Sequence, residues 1–221
     1  MNTFFFAVYP YICLVLFTAG LIFRYIGTPG QWNARSSNLF AKKSLATGSY
    51  IFHYCIILAF FGHIIGLLIP ESALAAVGFS QNIHTIVASF FGKILSLGVF
   101  IGAGILLWRR CAVREVWDTT YCMDIVVLVF IICQSITGGC QDFIGGFDAF
   151  DTVAPWVRGI LAGDPHPELM KTVPIYLKLH ALCGFTIIAM IPFSRLVHFF
   201  SVPLTWFAKP VISYRKRYEN L

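Results

Sequence analysis

Residues 50–69 read YIFHYCIILAFFGHIIGLLI, twenty in a row without an Asp, Glu, Lys or Arg. An apolar run of about that length forms a helix that crosses a hydrocarbon core about 30 Å thick. Pro70 and Glu71 close the run. Two histidines, His53 and His63, lie inside it. Ionisable groups at membrane depth are costly and tend to mark function.

Four more runs are similarly apolar, with at most two Asp, Glu, Lys or Arg in each. They cover about 4–23, about 86–108 (stopped by Arg109 and Arg110), about 122–137 (ending in Thr137-Gly138-Gly139) and about 175–200 (stopped by Ser201-Val202-Pro203). The expected fold is all-α: a polytopic membrane protein, a five-transmembrane-helix bundle filling 1–221 as one domain.

Composition agrees. Of 221 residues, 58% are hydrophobic and 12% charged, with a mean hydropathy of +0.78. A soluble domain has about 45–50% and about 25%. Too few polar groups exist to coat a cytosolic globule, and a disordered chain is excluded for the same reason. The net charge of +6 does not point to nucleic acid, because basic residues gather in cytoplasmic loops of membrane chains. The seven cysteines form no Cys-x-x-Cys pair. That removes zinc-ribbon, cluster and covalent haem motifs and leaves small apolar residues. The first run lacks a basic leader and a small-x-small cleavage site, so it reads as a retained helix.

Loop charge sets the expected orientation. Arg24, Arg35, Lys42 and Lys43 follow the first run, Arg109, Arg110 and Arg114 the third, and Lys209, Arg215, Lys216 and Arg217 the fifth. Between the second and third runs stands Glu71, with no Lys or Arg before Lys93. This layout predicts the N-terminus outside and the C-terminus inside. The connection 138–174 is then external and acidic, with Asp142, Asp148, Asp151, Asp164 and Glu168 against Arg158 and Lys171. Its apolar pieces, Phe143 to Phe150 and Trp156 to Leu161, suit a surface, interfacial or re-entrant segment. The basic tail Tyr214–Tyr218 reads as a topology signal against lipid headgroups, or as a dock for a soluble partner.

Four of the six histidines fall in two runs: His53 and His63 in the second, His180 and His198 in the fifth. These runs are antiparallel, so the natural pairs are His63 with His180 on the outer side and His53 with His198 on the inner side. Ten helical residues rise about 15 Å and eighteen about 27 Å. The steps differ, and their mean of roughly 21 Å fits two cofactors stacked within the membrane. Eighteen residues return His198 to the face of His180, and ten leave His63 about 80° from His53. Pro192 can bend the fifth helix.

Imidazole binds Zn, Cu, Fe and Ni alike. A protein zinc site wants three or four side chains, whereas each level here offers two. Two axial imidazoles suit a six-coordinate haem iron, which transfers electrons and has no open position. Gly62, Gly66 and Gly184 give room for a macrocycle, and Phe60, Phe61, Phe185 and Phe199 can pack on it. Ordinary helix packing explains each of these singly.

Several local motifs can now be read together. They are Tyr9-Pro10-Tyr11-Ile12, Gly62-His63-Ile64-Ile65-Gly66, Arg109-Arg110, Asp124-Ile125, Leu179-His180, and the run from Pro192-Phe193-Ser194-Arg195 through His198 to Pro203. With the chain length and the four histidines, they resemble the gamma subunit of respiratory nitrate reductase, a dihaem cytochrome b of the cytoplasmic (inner) membrane that serves anaerobic respiration and nitrate assimilation. The resemblance implies two b-type haems, the outer held by His63 and His180 and the inner by His53 and His198. It implies quinol (menaquinol or ubiquinol) oxidised near the outer haem. It also implies electrons leaving through an iron–sulfur beta subunit to a molybdenum alpha subunit that reduces nitrate. By position, His84, Lys93 and Gly62 would form the quinol site; Tyr25 lies at the inner end, the wrong side. Arg110 and Arg195 would pair with haem propionates, or snorkel to the inner interface. Two other readings stay open: a dihaem subunit of a sulfite- or heterodisulfide-type reductase, and a haem-free transporter lined by histidine.

Overall fold

The computed structural model describes residues 3–28, 42–76, 78, 81–145, 147 and 149–201. Among the described residues there are helices and no strand. Arg35, Asp148, Lys209, Arg215, Lys216, Arg217, the Val202-Pro203 end of the last motif and the tail Tyr214–Tyr218 lie outside them.

Among the described residues, five helices are long and apolar enough to cross a membrane. A π-helical turn at Phe4–Val8 leads into α1 (Tyr9–Gly27), where Pro10 sits at the start and needs no N–H partner. Helix α2 (Lys42–His63) continues as a second π-helical turn, Ile64–Leu68, directly after His63. Short α3 (Glu71–Ala76) leads to α4 (Gln81–Ala112), and short α5 (Arg114–Trp117) leads to α6 (Cys122–Ile144). Helix α7 (Val153–Ala162) and a 3-10 turn at Pro167–Met170 precede α8 (Ile175–Met190).

Three boundaries differ from the sequence reading. Helix α6 does not end at Thr137-Gly138-Gly139 but runs on to Ile144. Glycine costs a helix only about 0.5–1 kcal/mol, and here both glycines are packing positions. A Cβ on Gly138 would lie 2.7 Å from the His180 ring, and one on Gly139 would lie 3.2 Å from the Ser96 hydroxyl.

The fifth run is not one helix over 175–200. Its α-helix stops at Met190, a 3-10 turn covers Ile191–Phe193, Ser194 is extended at φ −128° and ψ −179°, and a second 3-10 stretch covers Arg195–Ser201. Pro192 has no N–H to continue the ladder and its ring crowds the preceding turn. The break packs against α1, where the Gly20 Cβ position lies 2.7 Å from Pro192 Cγ.

The third difference is the segment before α8. The stretch Trp156 to Leu161 packs one side into the bundle and leaves Leu161 exposed on the other. Trp156 is fully buried and donates its indole N–H to the Phe6 carbonyl at 2.7 Å. Tyr11 donates to the Ile160 carbonyl at 3.0 Å, and Arg158 to the Leu67 carbonyl at 3.1 Å. Helix α7 therefore plugs one end of the bundle, with Phe6, Met170, Val173 and Leu177 in its core. We refer to this as the capped end.

Packing runs α2 on α4, α4 on α6, α6 on α8 and α8 on α1. The two histidine-bearing elements, α2 and α8, are not among the extensively packed pairs. The α2–α4 seam is the tightest: Cβ positions on Gly48, Gly98 and Gly102 would overlap Ile105, Cys55 and Phe52. The second core, of Phe52, Val99, Ala103, Val127, Leu128 and Ile131, lies along α2, α4 and α6. Large apolar side chains such as Phe61, Phe90, Trp108 and Val129 face outward, as in a bundle solvated by lipid.

Candidate functional site

The four histidines meet across the gap between α2 and the α8 segment. The ring centres of His63 and His180 are 5.8 Å apart, with planes 19° from parallel. Those of His53 and His198 are 6.0 Å apart, at 67°. Two imidazoles on opposite sides of one ion, bound at about 2 Å each, would have centres roughly 6 Å apart.

The protonation of each ring follows from its partners. His53 Nδ1–H donates to the Ser49 carbonyl at 2.7 Å, and the Ser49 hydroxyl lies 3.1 Å away. His63 Nδ1–H donates to the Ala59 carbonyl at 2.7 Å. His198 Nδ1–H donates to the Arg195 carbonyl at 2.5 Å, and His180 Nδ1–H to the Gln134 carbonyl at 3.0 Å. A carbonyl only accepts, so the proton sits on Nδ1 and each Nε2 keeps its lone pair. The Gln134 amide donates to His180 Nε2 at 3.1 Å, as that assignment requires. Ligating histidines are oriented in this way, with the other ring nitrogen bonded to a carbonyl or carboxylate.

Each level thus has two imidazole lone pairs, of which that of His180 accepts from the Gln134 amide, so this amide must turn away before an ion binds there. Among the described residues no group of three or more His, Cys, Asp or Glu gathers as a cation site. An ion held here would need its remaining ligands from a non-protein group, and a haem macrocycle supplies four nitrogens. Beside His63 the space at Gly62 is open, with nothing within 4 Å of its Cβ position. Gln134 Oε1 is buried among the bundle without a hydrogen-bond partner. The donor set fits a bis-imidazole haem at both levels.

Arg110 and Arg195 converge on one carboxylate rather than standing apart. Arg195 Nε donates to Asp124 Oδ1 at 2.7 Å, and Arg110 Nη1 to Asp124 Oδ2 at 3.2 Å. Asp124 is 6% exposed and also accepts the Tyr121 backbone N–H at 3.2 Å. Arg110 Nη1 reaches the Thr120 hydroxyl at 3.3 Å, and Arg195 Nη2 the Thr119 carbonyl at 3.4 Å.

His84, Lys93 and Gly62 do not form one cluster. His84 packs on Phe150, with ring centres 4.9 Å apart, and its Nε2 lies 3.4 Å from the Gly66 Cβ position. That puts it one helical turn beyond His63, at the capped end. Lys93 is nine residues further along α4, which is half a turn out of phase, so it projects from the opposite face. The Asp142 carboxylate lies instead against Gly92. Tyr25 is exposed at the far end of α1.

The sequence reading missed Gln134, the role of Ser49, and the convergence on Asp124. A lone Gln within an apolar run was the available signal for the first. The spacing Gly98-x-x-x-Gly102 was the signal for the α2–α4 seam.

Five membrane-length helices among the described residues, with two opposed imidazole pairs between α2 and the α8 segment, define a multi-pass membrane protein. The family model described as nitrate reductase gamma subunit matches residues 2–217, and the chain belongs to that family. It is 36% identical to the nitrate reductase gamma chain of Bacillus subtilis, over 94% of this chain and 95% of that one. It is 31% identical to the respiratory nitrate reductase 2 gamma chain of Escherichia coli, over 95% and 94%. It also matches the nitrate reductase-like protein NarX of Mycobacterium tuberculosis at 31%, across 99% of this chain but 34% of that longer one. The protein is thus a subunit of an oxidoreductase complex and associates with the other nitrate reductase subunits.

Proposed function

We propose that this chain is the dihaem cytochrome b subunit of a respiratory nitrate reductase in the cytoplasmic (inner) membrane. It oxidises menaquinol or ubiquinol near the capped, outer end and delivers electrons to an iron–sulfur beta subunit on the inner side. Nitrate is reduced on the molybdenum alpha subunit. The observation that carries this reading is the pair of opposed imidazole couples, with ring centres 5.8 and 6.0 Å apart and each ring's Nδ1–H fixed on a backbone carbonyl. Bound there, b-type haems supply one-electron transfer across the membrane.

The chain's own residues do the rest. His63 and His180 hold the group at the capped end, and His53 and His198 the group at the other. The carbonyls of Ala59, Gln134, Ser49 and Arg195 lock the four ring orientations and raise the basicity of Nε2. Quinol oxidation releases two protons and two electrons, so the quinol site needs a base. His84 serves, because an imidazole nitrogen can accept a proton; it is half-buried beside Gly66, one helical turn from the open space at Gly62. Lys93, on the other face of α4, acts as a positive charge near the same end. Asp124 binds Arg110 and Arg195 at the opposite end, and these cations hold propionates only through nitrogens not already committed to Asp124.

The test is a reduced-minus-oxidised spectrum of the purified complex, with quinol as reductant. Quinol should generate b-type absorbance. His63→Ala and His53→Ala should each remove about half of it. A complex without b-type absorbance, or a His63→Ala variant with the full signal, overturns the proposal.

A further inference from the structure

The ligands on the α8 segment are held differently from those on α2. His53 and His63 each donate Nδ1–H to a carbonyl of their own helix. His180 donates to the Gln134 carbonyl, on α6. The Thr137 hydroxyl lies 3.4 Å from the same ring nitrogen. A Cβ on Gly138 would lie 2.7 Å from Cε1 and 3.0 Å from Nδ1. The His180 ring therefore rests on the α6 backbone, at a place where only glycine leaves room.

His198 lies beyond the break at Ile191–Ser194, so no continuous α-helix fixes its place. Its Nδ1–H is bonded to the Arg195 carbonyl, and the Arg195 guanidinium is bonded to Asp124 at 2.7 Å. Asp124 is in the first turn of α6. Both chains of contact thus end on α6. Their anchor points, Asp124 and Gln134, are ten residues apart, as His53 and His63 are on α2. Ten residues rise about 15 Å in either helix.

We propose that α6, which carries no histidine, is the template that sets the spacing of the two α8-segment ligands. Gly138 and the Gln134 carbonyl seat His180, and Asp124 acting through Arg195 seats His198. Asp124 and Gly138 are positioning residues and touch neither iron. A segment with a break between its two ligands has no internal ruler, so the spacing must come from a neighbour that is an unbroken helix, as α6 is over Cys122–Ile144. Helix α6 packs extensively on α8 and meets that requirement. The inference rests on reading the four histidines as two haem sites.

The experiment uses the whole purified complex carrying Gly138→Ala or Asp124→Asn. Haem per chain is measured, with the redox potential and EPR signal of each haem. His63→Ala and His53→Ala mark which signal belongs to which pair. Gly138→Ala should shift or deplete the signal lost in His63→Ala and spare the other. Asp124→Asn should do the reverse, and Asp124→Glu should restore the wild-type values in large part. Arg195→Lys, which keeps the charge and is milder for folding, should move the same signal as Asp124→Asn. The proposal is overturned if Gly138→Ala and Asp124→Asn leave both signals at wild-type values, or if each moves both signals alike. A wild-type complex with no b-type haem overturns the haem reading itself. Two haems in the wild type with unselective variants overturn the template alone.

Discussion

Gly102→Ala probes how tightly α2 and α4 must close to place His53. A Cβ on Gly102 would lie 2.6 Å from Phe52 N, 2.8 Å from its Cα and 2.9 Å from its Cβ. Two of these are backbone atoms, so no rotamer change relieves the overlap. Carbon contacts are optimal at about 3.5–4.0 Å, so the helices must part locally by roughly 1 Å. Overpacking of this kind costs about 1–3 kcal/mol. Against that, alanine is the better helix former by about 1 kcal/mol. Gly104→Ala isolates the two effects: it carries the same propensity gain, with nothing within 4 Å of its Cβ position. The difference between the variants is then the packing cost alone, about 1–3 kcal/mol, or a fall in Tm on the order of 5 °C. Phe52 precedes His53, so the displacement also reaches a ligand. The assay is thermal unfolding of the two variants in one detergent, followed by circular dichroism. Equal Tm values for Gly102→Ala and Gly104→Ala would refute the reasoning, because the near-contact would then be costless.

Trp156→Phe keeps the ring in the capped end but strands the Phe6 carbonyl, now bonded at 2.7 Å. It should cost about 1–3 kcal/mol by thermal unfolding, and Trp156→Ala about 3–5 kcal/mol. Tyr9→Phe deletes the bond to the Thr186 hydroxyl, 2.7 Å between α1 and α8; a membrane interhelical bond averages about 0.6 kcal/mol, so only a small loss in stability is expected. Arg158→Gln removes the donor to the Leu67 carbonyl, and hydrogen exchange should rise selectively in the Ile64–Leu68 turn while α4 stays protected.

The parts of the fold legible in sequence are those that one strong rule governs. Long apolar runs with at most two charged residues have few options in a chain this apolar, so all five spans were readable. The histidine pairs were readable because two antiparallel helices leave only one natural pairing. What escaped was decided by neighbours. Gly138-Gly139 looks like a helix end, yet α6 continues because His180 and Ser96 occupy the space a Cβ would need. Trp156 and Ile160 form an amphipathic stretch that an interface would also suit, and only the Phe6 and Tyr11 partners, some 150 residues away, draw it inward. The two arginines read as propionate partners or as cations snorkelling to the interface, because nothing in sequence brings Asp124 to both.

The unequal spacing of the ligands was itself information about the backbone. His53 and His63 are ten residues apart on unbroken α-helix, a rise of about 15 Å. His180 and His198 are eighteen apart, which a continuous helix would turn into about 27 Å. Both pairs nevertheless close to ring-centre distances of 5.8 and 6.0 Å. Tilt alone does not absorb such a difference while both pairs stay in register. The α-helix from His180 to Met190 already accounts for ten residues, and hence for the whole of the α2 interval. The eight residues from Ile191 to His198 must then travel across the membrane plane rather than along its normal. The packing bears this out, since Met190 and Leu196 both lie against the core that contains Phe52, the neighbour of His53. Pro192 ends the helix at the level where it has to end, and the extended Ser194 turns the chain sideways. In a two-helix ligand set, a mismatch of about eight residues with a proline inside it is thus a sequence-level sign of a broken helix, and it calls for an outside element to fix the second ligand.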